Sequence, residues 1–239
     1  MIISDKHKYV FVELPQTATT AISQELRDHY GGRVVLHKHS NYRQYLKYAS
    51  PEQKKYFVFS GVRNPLDEAV TSYTKYKQDH RSNYSRKMAW VSRAKLRRFK
   101  YITERNATFS EFLFRFYRLP VENWSSLDHH RFDFVYRLEN IQDDFAELIR
   151  RIGLELVRPL PILHKTKDKE SWQSYYTPET RRHARFVFGP LMEQWGYGFP
   201  PDWDGGVPLS SKAIYRTVRT VKNLGRRLRP TYISPERRP

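Results

Sequence analysis

The sequence of 239 residues contains no cysteine. This absence excludes a disulfide framework, a cysteine-based zinc site and a thiol nucleophile, and it leaves the redox compartment open. No run of apolar residues approaches the length of a membrane span, and residues 1–6 lack the pattern of a signal peptide. Because the first predicted strand begins near residue 8, little room precedes it for a targeting segment. The sequence therefore predicts a cytoplasmic protein.

Acidic residues are scarce relative to basic ones, since 25 Asp and Glu stand against 43 Lys and Arg, for a formal net charge of +18. A surface of this charge attracts polyanions: nucleic acid, acidic lipid headgroups, acidic saccharides or a multiply charged cofactor. Charge alone does not choose among them. The sequence also lacks a recognised nucleic-acid-binding module and a Gly-x-x-x-x-Gly-Lys-Ser/Thr motif. Nucleic acid is therefore not an expected partner, and a Walker-type kinase is not favoured.

Two segments, residues 8–22 and residues 56–73, share one pattern. Each begins with β-branched and aromatic residues, passes a turn marked by proline and then takes helical spacing. A strand that leads through a loop into a helix leaves free backbone N–H groups, and the helix dipole adds to their attraction for an anion. The loops also carry three hydroxyl groups and a guanidinium that can bind phosphate with two hydrogen bonds. These groups belong to Thr17, Thr19, Thr20 and Arg63. The two segments together predict a site for a nucleotide with more than one phosphate.

The composition fits one α/β domain, because hydrophobic residues make up 39% and aromatic residues 15% of the sequence. The predicted domain covers residues 1–204, with a helical insertion at 78–130 and a basic tail at 205–239. An aromatic stripe within residues 108–117 is expected to pack in the core. The predicted strands are at 8–14, 33–37, 56–61 and 132–139, and the predicted helices are at 20–30, from about 41, at 64–77, within 78–106, and at 108–117, 141–152 and 178–195.

The tail has the pattern of a basic amphipathic helix. Its apolar residues recur at spacings of four, three, three and four, which is one stripe on a helix, and Lys and Arg surround them. The apolar residues are Ile214, Val218, Val221, Leu224 and Leu228. Such a helix can make a peripheral contact with an anionic membrane, or it can pack on its own domain with a solvated outer face. Both interpretations remain open from the sequence.

With these motifs placed, the chain resembles the sulfotransferases that use 3′-phosphoadenosine 5′-phosphosulfate (PAPS), especially the carbohydrate and heparan-type branch and its bacterial relatives. The resemblance covers most of residues 8–198. It implies a three-layer P-loop-like α/β fold with a central, mostly parallel sheet flanked by helices. In the family a Pro-Lys-Thr/Ser-Gly-type loop holds the 5′-phosphosulfate. The residues in that place are Pro15-Gln16-Thr17-Ala18-Thr19-Thr20.

The second family element is Arg-(Asn/Asp)-Pro with a hydroxyl eight residues after the arginine, and it holds the 3′-phosphate. Here the arginine is Arg63 and the hydroxyl is that of Thr71, with Ser72 as a competing register. Lys165 and Lys167, which follow a Pro-rich connection, are candidates to cover the nucleotide, and solvated surface lysines are the other interpretation of them.

His39 resembles the histidine of a Gly-His-x-x-(Tyr/Phe) element, although Lys38 replaces the glycine. Sulfuryl transfer to a hydroxyl needs proton removal near neutral pH, which suits imidazole. His39 is therefore the candidate general base, and His37 competes for that role. Glu13, at the end of the first predicted strand, is the alternative base, and a buried structural carboxylate is an equal interpretation of it.

One departure from the family concerns the loop lysine that stabilises charge on the transferring sulfonate, because Gln16 stands in its place. Removing such a charge typically costs a few kcal/mol of transition-state stabilisation unless another cation replaces it. The candidate replacements are Lys38, Lys165 and Lys167. The resemblance implies sulfuryl transfer from PAPS to a hydroxyl of a saccharide, acidic ones included, or of a small metabolite, leaving adenosine 3′,5′-bisphosphate (PAP) and requiring no metal. The alternative is a protein of the same fold that binds PAP or another polyanion without catalysis.

Overall fold

A computed structural model describes residues 1–89, 91–120, 128–163, 170–227 and 239. Its strands in chain order are β1 (Ile2–Ser4), β2 (Tyr9–Phe11), β3 (Arg33–Val34), β4 (Phe57–Val62) and β5 (Phe134–Arg137). Its helices are α1 (Thr19–His29), α2 (Tyr42–Tyr48), α3 (Pro65–Lys77), α4 (Arg93–Arg105), α5 (Phe109–Phe116), α6 (Ile141–Arg151), α7 (Pro178–Gln194) and α8 (Leu209–Arg227). Short 3₁₀ turns occur at Gln53–Lys55, His80–Ser82, His129–Arg131, Leu138–Asn140 and Trp172–Tyr175.

The chain forms two compact units, each assembled from separate segments. The first consists of residues 1–63, 123–164 and 222–239, and the second consists of residues 64–122 and 165–221. All five strands belong to the first unit, together with α1, α2 and α6. The second unit is helical, and part of it comes from the region predicted as an insertion.

The sheet of the first unit has the order β3-β1-β2-β4-β5 and is mixed. The pairs β2–β4 and β4–β5 are parallel, whereas β1 runs antiparallel to both β2 and β3. The prediction of a mostly parallel sheet is therefore wrong. The cause is β1, which pairs with β2 as a hairpin, with Ile2 opposite Phe11 and Ser4 opposite Tyr9. Three residues are too few to show a strand period in the sequence.

Helices flank the sheet because alternate strand residues point to opposite faces. Tyr9 and Phe11 of β2 pack in one buried cluster with residues of α1 and α6. Val10, between them, packs in a second cluster with Tyr42 and Tyr45 of α2. The α/β class predicted from the sequence is confirmed at this level, as a five-stranded mixed sheet flanked by helices.

Helix starts follow local sequence signals. Asn41 and Gln44 form a capping box at α2, and the side chain of Asn64 caps α3 with Pro65 in its first turn. Thr177 caps α7. Helix α1 differs, because its N-cap residue is Ala18, which has no side chain able to cap it. The uncapped end of α1 is where the candidate site begins.

The second unit is built around aromatic residues. Tyr73 of α3 packs against Phe109 and Phe112 of α5, which confirms that the aromatic stripe of 108–117 is core. The hydroxyl of Tyr73 donates to the carbonyl of Ala107 at 2.9 Å, so its polar end is also satisfied. Within the described ranges, no helix combines the length and apolar character that crossing a bilayer requires.

Candidate functional site

The loop between β2 and α1 has an unusual backbone. Gln16 and Ala18 both adopt positive φ, at 68° and 56°, although neither is a glycine. Turns that mix left- and right-handed residues direct successive N–H groups to one side, where they form a concavity for an anion. The first turn of α1 contains no acidic residue. The loop and the helix start therefore present backbone donors to an anion.

Ala18 has a left-handed backbone, which costs a residue with a Cβ about 1–2 kcal/mol. We expect Ala18→Gly to raise the free energy of unfolding by about 0.5–1 kcal/mol, because relief of that strain exceeds the extra entropy of an unfolded glycine. Urea unfolding measures the change. Ala213→Gly, in the exposed interior of α8, is the matched control and should destabilise by about 0.5–1 kcal/mol. A loss of stability in both variants would contradict the assignment of strain to Ala18.

Thr17 serves the loop itself. Its side chain is buried, and its hydroxyl donates to the carbonyl of Leu14 at 2.9 Å. The hydroxyl of Tyr136 donates to the carbonyl of Thr17 at 2.8 Å. Thr17 is one of three residues whose hydroxyls were predicted to bind phosphate. Because its hydroxyl is bonded within the protein, only its backbone N–H is left to bind an anion. Thr19 is also buried, whereas Thr20 is partly exposed at the start of α1.

Tyr136 supports the loop from β5, a role that the sequence interpretation missed. Its ring lies over Gly61 of β4 so closely that a Cβ atom on Gly61 would lie 2.1 Å from the ring. Burial raises the pKa of the Tyr136 phenol, so the hydroxyl stays a donor to Thr17. The signal in the sequence was Gly61 itself, since a glycine inside an apolar strand marks a close approach by another group.

Arg63 meets the loop at one edge of the sheet. It follows β4, which is parallel to β2, so the carboxyl ends of the two strands are adjacent. One guanidinium nitrogen, Nη1, donates to the carbonyl of Gln16 at 3.4 Å. The two predicted halves of the site therefore come together within the first unit. Pro15 and Gln16, where the loop begins, are both partly exposed.

Other predicted binding residues belong to a different part of the chain. Thr71 is buried and Ser72 is partly exposed on α3, which belongs to the second unit. The contacts that define the site all lie within the first unit. Lys165 and Lys167 lie outside the described residues.

Lys38 brings a second cation to the helix start, because its Nζ donates to the hydroxyl of Thr20 at 3.1 Å. A cation near a helix N-terminus is unfavourable unless an anion lies between them. The end of α1 thus combines a positive dipole, the ammonium of Lys38 and the guanidinium of Arg63, with no carboxylate in its first turn. This arrangement favours binding of a group with several negative charges.

His39 is held with one nitrogen ready to accept a proton. Its Nδ1 lies 2.9 Å from the carbonyl oxygen of Glu13, and a carbonyl can only accept, so Nδ1 carries the hydrogen and Nε2 is the basic nitrogen. Burial lowers the pKa of His39, and the charge of Lys38 lowers it further against the opposing effect of Glu13. The imidazole is therefore neutral at pH 7. Its backbone is left-handed, with φ of 65°.

The competing bases are placed differently. His37 is exposed, and its backbone N–H donates to the hydroxyl of Ser40 at 3.1 Å. Glu13 is buried, where its carboxylate accepts from the hydroxyl of Ser23 at 2.7 Å and pairs with the amino group of Met1. The carboxylate of Glu13 is thus engaged inside the fold, and its carbonyl orients His39.

In the part of the chain that the structure describes, no group of three or more His, Asp or Glu side chains is arranged to hold a metal ion. The site is instead a set of backbone donors, two cations and a neutral imidazole. Such a set can bind a phosphorylated compound, stabilise negative charge that develops near α1 and accept a proton. Comparison with protein-family models, with curated proteins and with solved structures finds no match to this chain.

Proposed function

We propose that this protein is a PAPS-dependent sulfotransferase that transfers a sulfuryl group to a hydroxyl of a saccharide or small-molecule acceptor. The observation that carries the proposal is the meeting of Arg63, Lys38 and the loop at the uncapped start of α1. Two cations beside a helix start whose first turn has no carboxylate suit a ligand with two phosphoryl-type groups. The fold is consistent with a P-loop-like arrangement, since the parallel strands β2 and β4 both end at the site.

Each residue has a defined part in the proposed reaction. The backbone N–H groups of residues 16–20 bind the 5′-phosphosulfate of PAPS, and Arg63 binds the 3′-phosphate. Nε2 of His39 takes the proton of the acceptor hydroxyl as the acceptor oxygen bonds to sulfur. The bond from sulfur to the phosphate oxygen breaks, and PAP leaves. The ammonium of Lys38 offsets the charge that develops on that oxygen, a task for which the neutral amide of Gln16 is unsuited.

The pH dependence of turnover tests the role of His39. Since the base must be neutral and burial lowers its pKa, we expect kcat/KM to be constant around pH 7 and to fall only below the ordinary histidine value of about 6.5. His39→Ala should lose about 10²–10⁴-fold in kcat and keep its affinity for PAP within a few fold. His37→Ala is the control and should behave like the parent. Equal losses in both variants would contradict the choice of His39.

A second candidate function is binding of PAP or another polyanion without turnover, and Gln16 in place of the loop lysine favours it. One measurement distinguishes the two functions: the release of PAP from PAPS in the presence of a broad panel of hydroxyl acceptors. Acceptor-dependent release supports the transferase. Tight PAP binding with no release over the whole panel supports the binding protein.

A further inference from the structure

Helix α8 holds one part of its surface against the protein and leaves another exposed. Near its start, the hydroxyl of Ser211 donates to the carbonyl of Phe186 and that of Tyr215 donates to Gln194 at 2.7 Å. Lys212 pairs with Glu193 at 2.9 Å. All three contacts are made to α7 and lie within the first two turns of α8. The helix is thus anchored at its beginning.

One exposed side of α8 carries no charge and runs along the helix axis. Its residues follow one another at spacings of four, four and three, which places them on one side of the helix. Val221 is 64% exposed and Leu224 is 59% exposed, although both belong to the apolar stripe that the sequence predicts. The exposed residues of this side are Ala213, Thr217, Val221 and Leu224.

The charges of α8 have one sign. Arg216 is exposed beside the uncharged side, three residues from Ala213, whereas Arg219 lies on the side of Tyr215 and Asn223, which bond to Gln194 and Arg43. The helix contains six Lys and Arg residues and no Asp or Glu. Within the described ranges neither Arg216 nor Arg219 pairs with a carboxylate. A helix with exposed aliphatic residues beside an exposed arginine and with no acidic residue matches the boundary of an anionic bilayer, where acyl chains and acidic headgroups lie together. A polyanion such as heparin would use only the cations and would leave the aliphatic residues in water.

We propose that the exposed side of α8 docks on the surface of an anionic lipid membrane, with Val221 and Leu224 inserted at the headgroup boundary and Arg216 near the acidic headgroups. The helix lies in the plane of the membrane surface rather than across it. This inference is independent of the chemistry at α1, so either can fail alone.

Cosedimentation of the full chain with vesicles tests the proposal. The parent should sediment with vesicles that contain 30% phosphatidylserine in phosphatidylcholine, and about tenfold less with pure phosphatidylcholine. The variant Val221→Ser/Leu224→Ser removes the aliphatic groups and leaves the charge unchanged. It should lower partitioning into the anionic vesicles at least about tenfold and leave binding to immobilised heparin unaltered.

The charge arm uses Arg216→Gln, with Arg97→Gln as the control. Arg216 is exposed on α8 and Arg97 is exposed on α4, so both variants remove the same charge from a helix surface. Loss of partitioning in the α8 variant but not in the α4 variant supports the proposal. It is overturned if the parent does not sediment with anionic vesicles, if the serine variant binds them as the parent does, or if the α4 variant loses as much as the α8 variant.

Discussion

Lys38→Met is expected to lower kcat for sulfuryl transfer about 10²–10³-fold, with PAPS affinity within a few fold of the parent and PAP affinity weakened. The ammonium lies at the start of α1, 3.1 Å from the hydroxyl of Thr20, where charge develops on the leaving phosphate oxygen in the proposed reaction. Because that charge is larger in the transition state than in bound PAPS, the loss falls mainly on kcat. Single-turnover and steady-state rates measure it.

Lys47→Met is the matched control, since Lys47 is an exposed lysine of the same unit, and it should keep the parental rate. A second comparison moves the charge. Gln16→Lys added to Lys38→Met should recover at least about tenfold of the lost rate, because the cation then returns from within the loop. If the parent turns over and Lys38→Met is as fast, Lys38 has no such role. If the parent itself does not turn over, the proposed activity fails instead.

Arg63→Ala is expected to weaken PAP binding about 30–100-fold, which corresponds to about 2–3 kcal/mol for a charge-assisted pair of hydrogen bonds. The guanidinium lies beside the loop, 3.4 Å from the carbonyl of Gln16, so its removal takes one of two cations from the site. Isothermal titration of PAP measures the change. The affinity of Arg63→Lys for PAP should fall between those of the parent and the alanine variant, because lysine keeps the charge but loses the paired donors.

The control for Arg63 is Arg33→Ala, which breaks an exposed ion pair with Asp5 on the edge strand. Such a pair contributes little to stability. Arg33 lies on the edge strand β3, which β1 and β2 separate from β4, the strand that precedes Arg63. PAP affinity should therefore be unchanged. An Arg63→Ala variant that binds PAP as tightly as the parent would remove Arg63 from the site.

Local signals predicted much of the fold because they act within a few residues. The cap at Asn64 followed by Pro65 indicated the start of α3. The aromatic spacing of 108–117 indicated the buried side of α5. The two strand–loop–helix segments were recognised in the same way. Each of these features depends on neighbours in the sequence.

Other features depend on contacts between distant parts of the chain. Strand β1 pairs antiparallel with both β2 and β3, so two of the four strand pairs are antiparallel. A strand of three residues is too short to show an alternating pattern in the sequence. The hydroxyl of Thr17 turned inward because Leu14 and Tyr136 bind that residue. The contact of Lys38 with Thr20 follows from packing of the loop after β3 against the start of α1, so the sequence named Lys38 as one of three candidates and could not choose among them.

The most direct test of the account compares two nucleotides on two proteins by isothermal titration. The ligands are PAP and adenosine 5′-monophosphate, which differ only in the 3′-phosphate, and the proteins are the parent and Arg63→Ala. We expect the parent to prefer PAP by about 30-fold or more, and we expect Arg63→Ala to lose most of this preference while it still binds adenosine 5′-monophosphate as the parent does. An equal preference for PAP in both proteins, or no preference in the parent, would contradict a site in which the loop and Arg63 share one doubly phosphorylated adenosine.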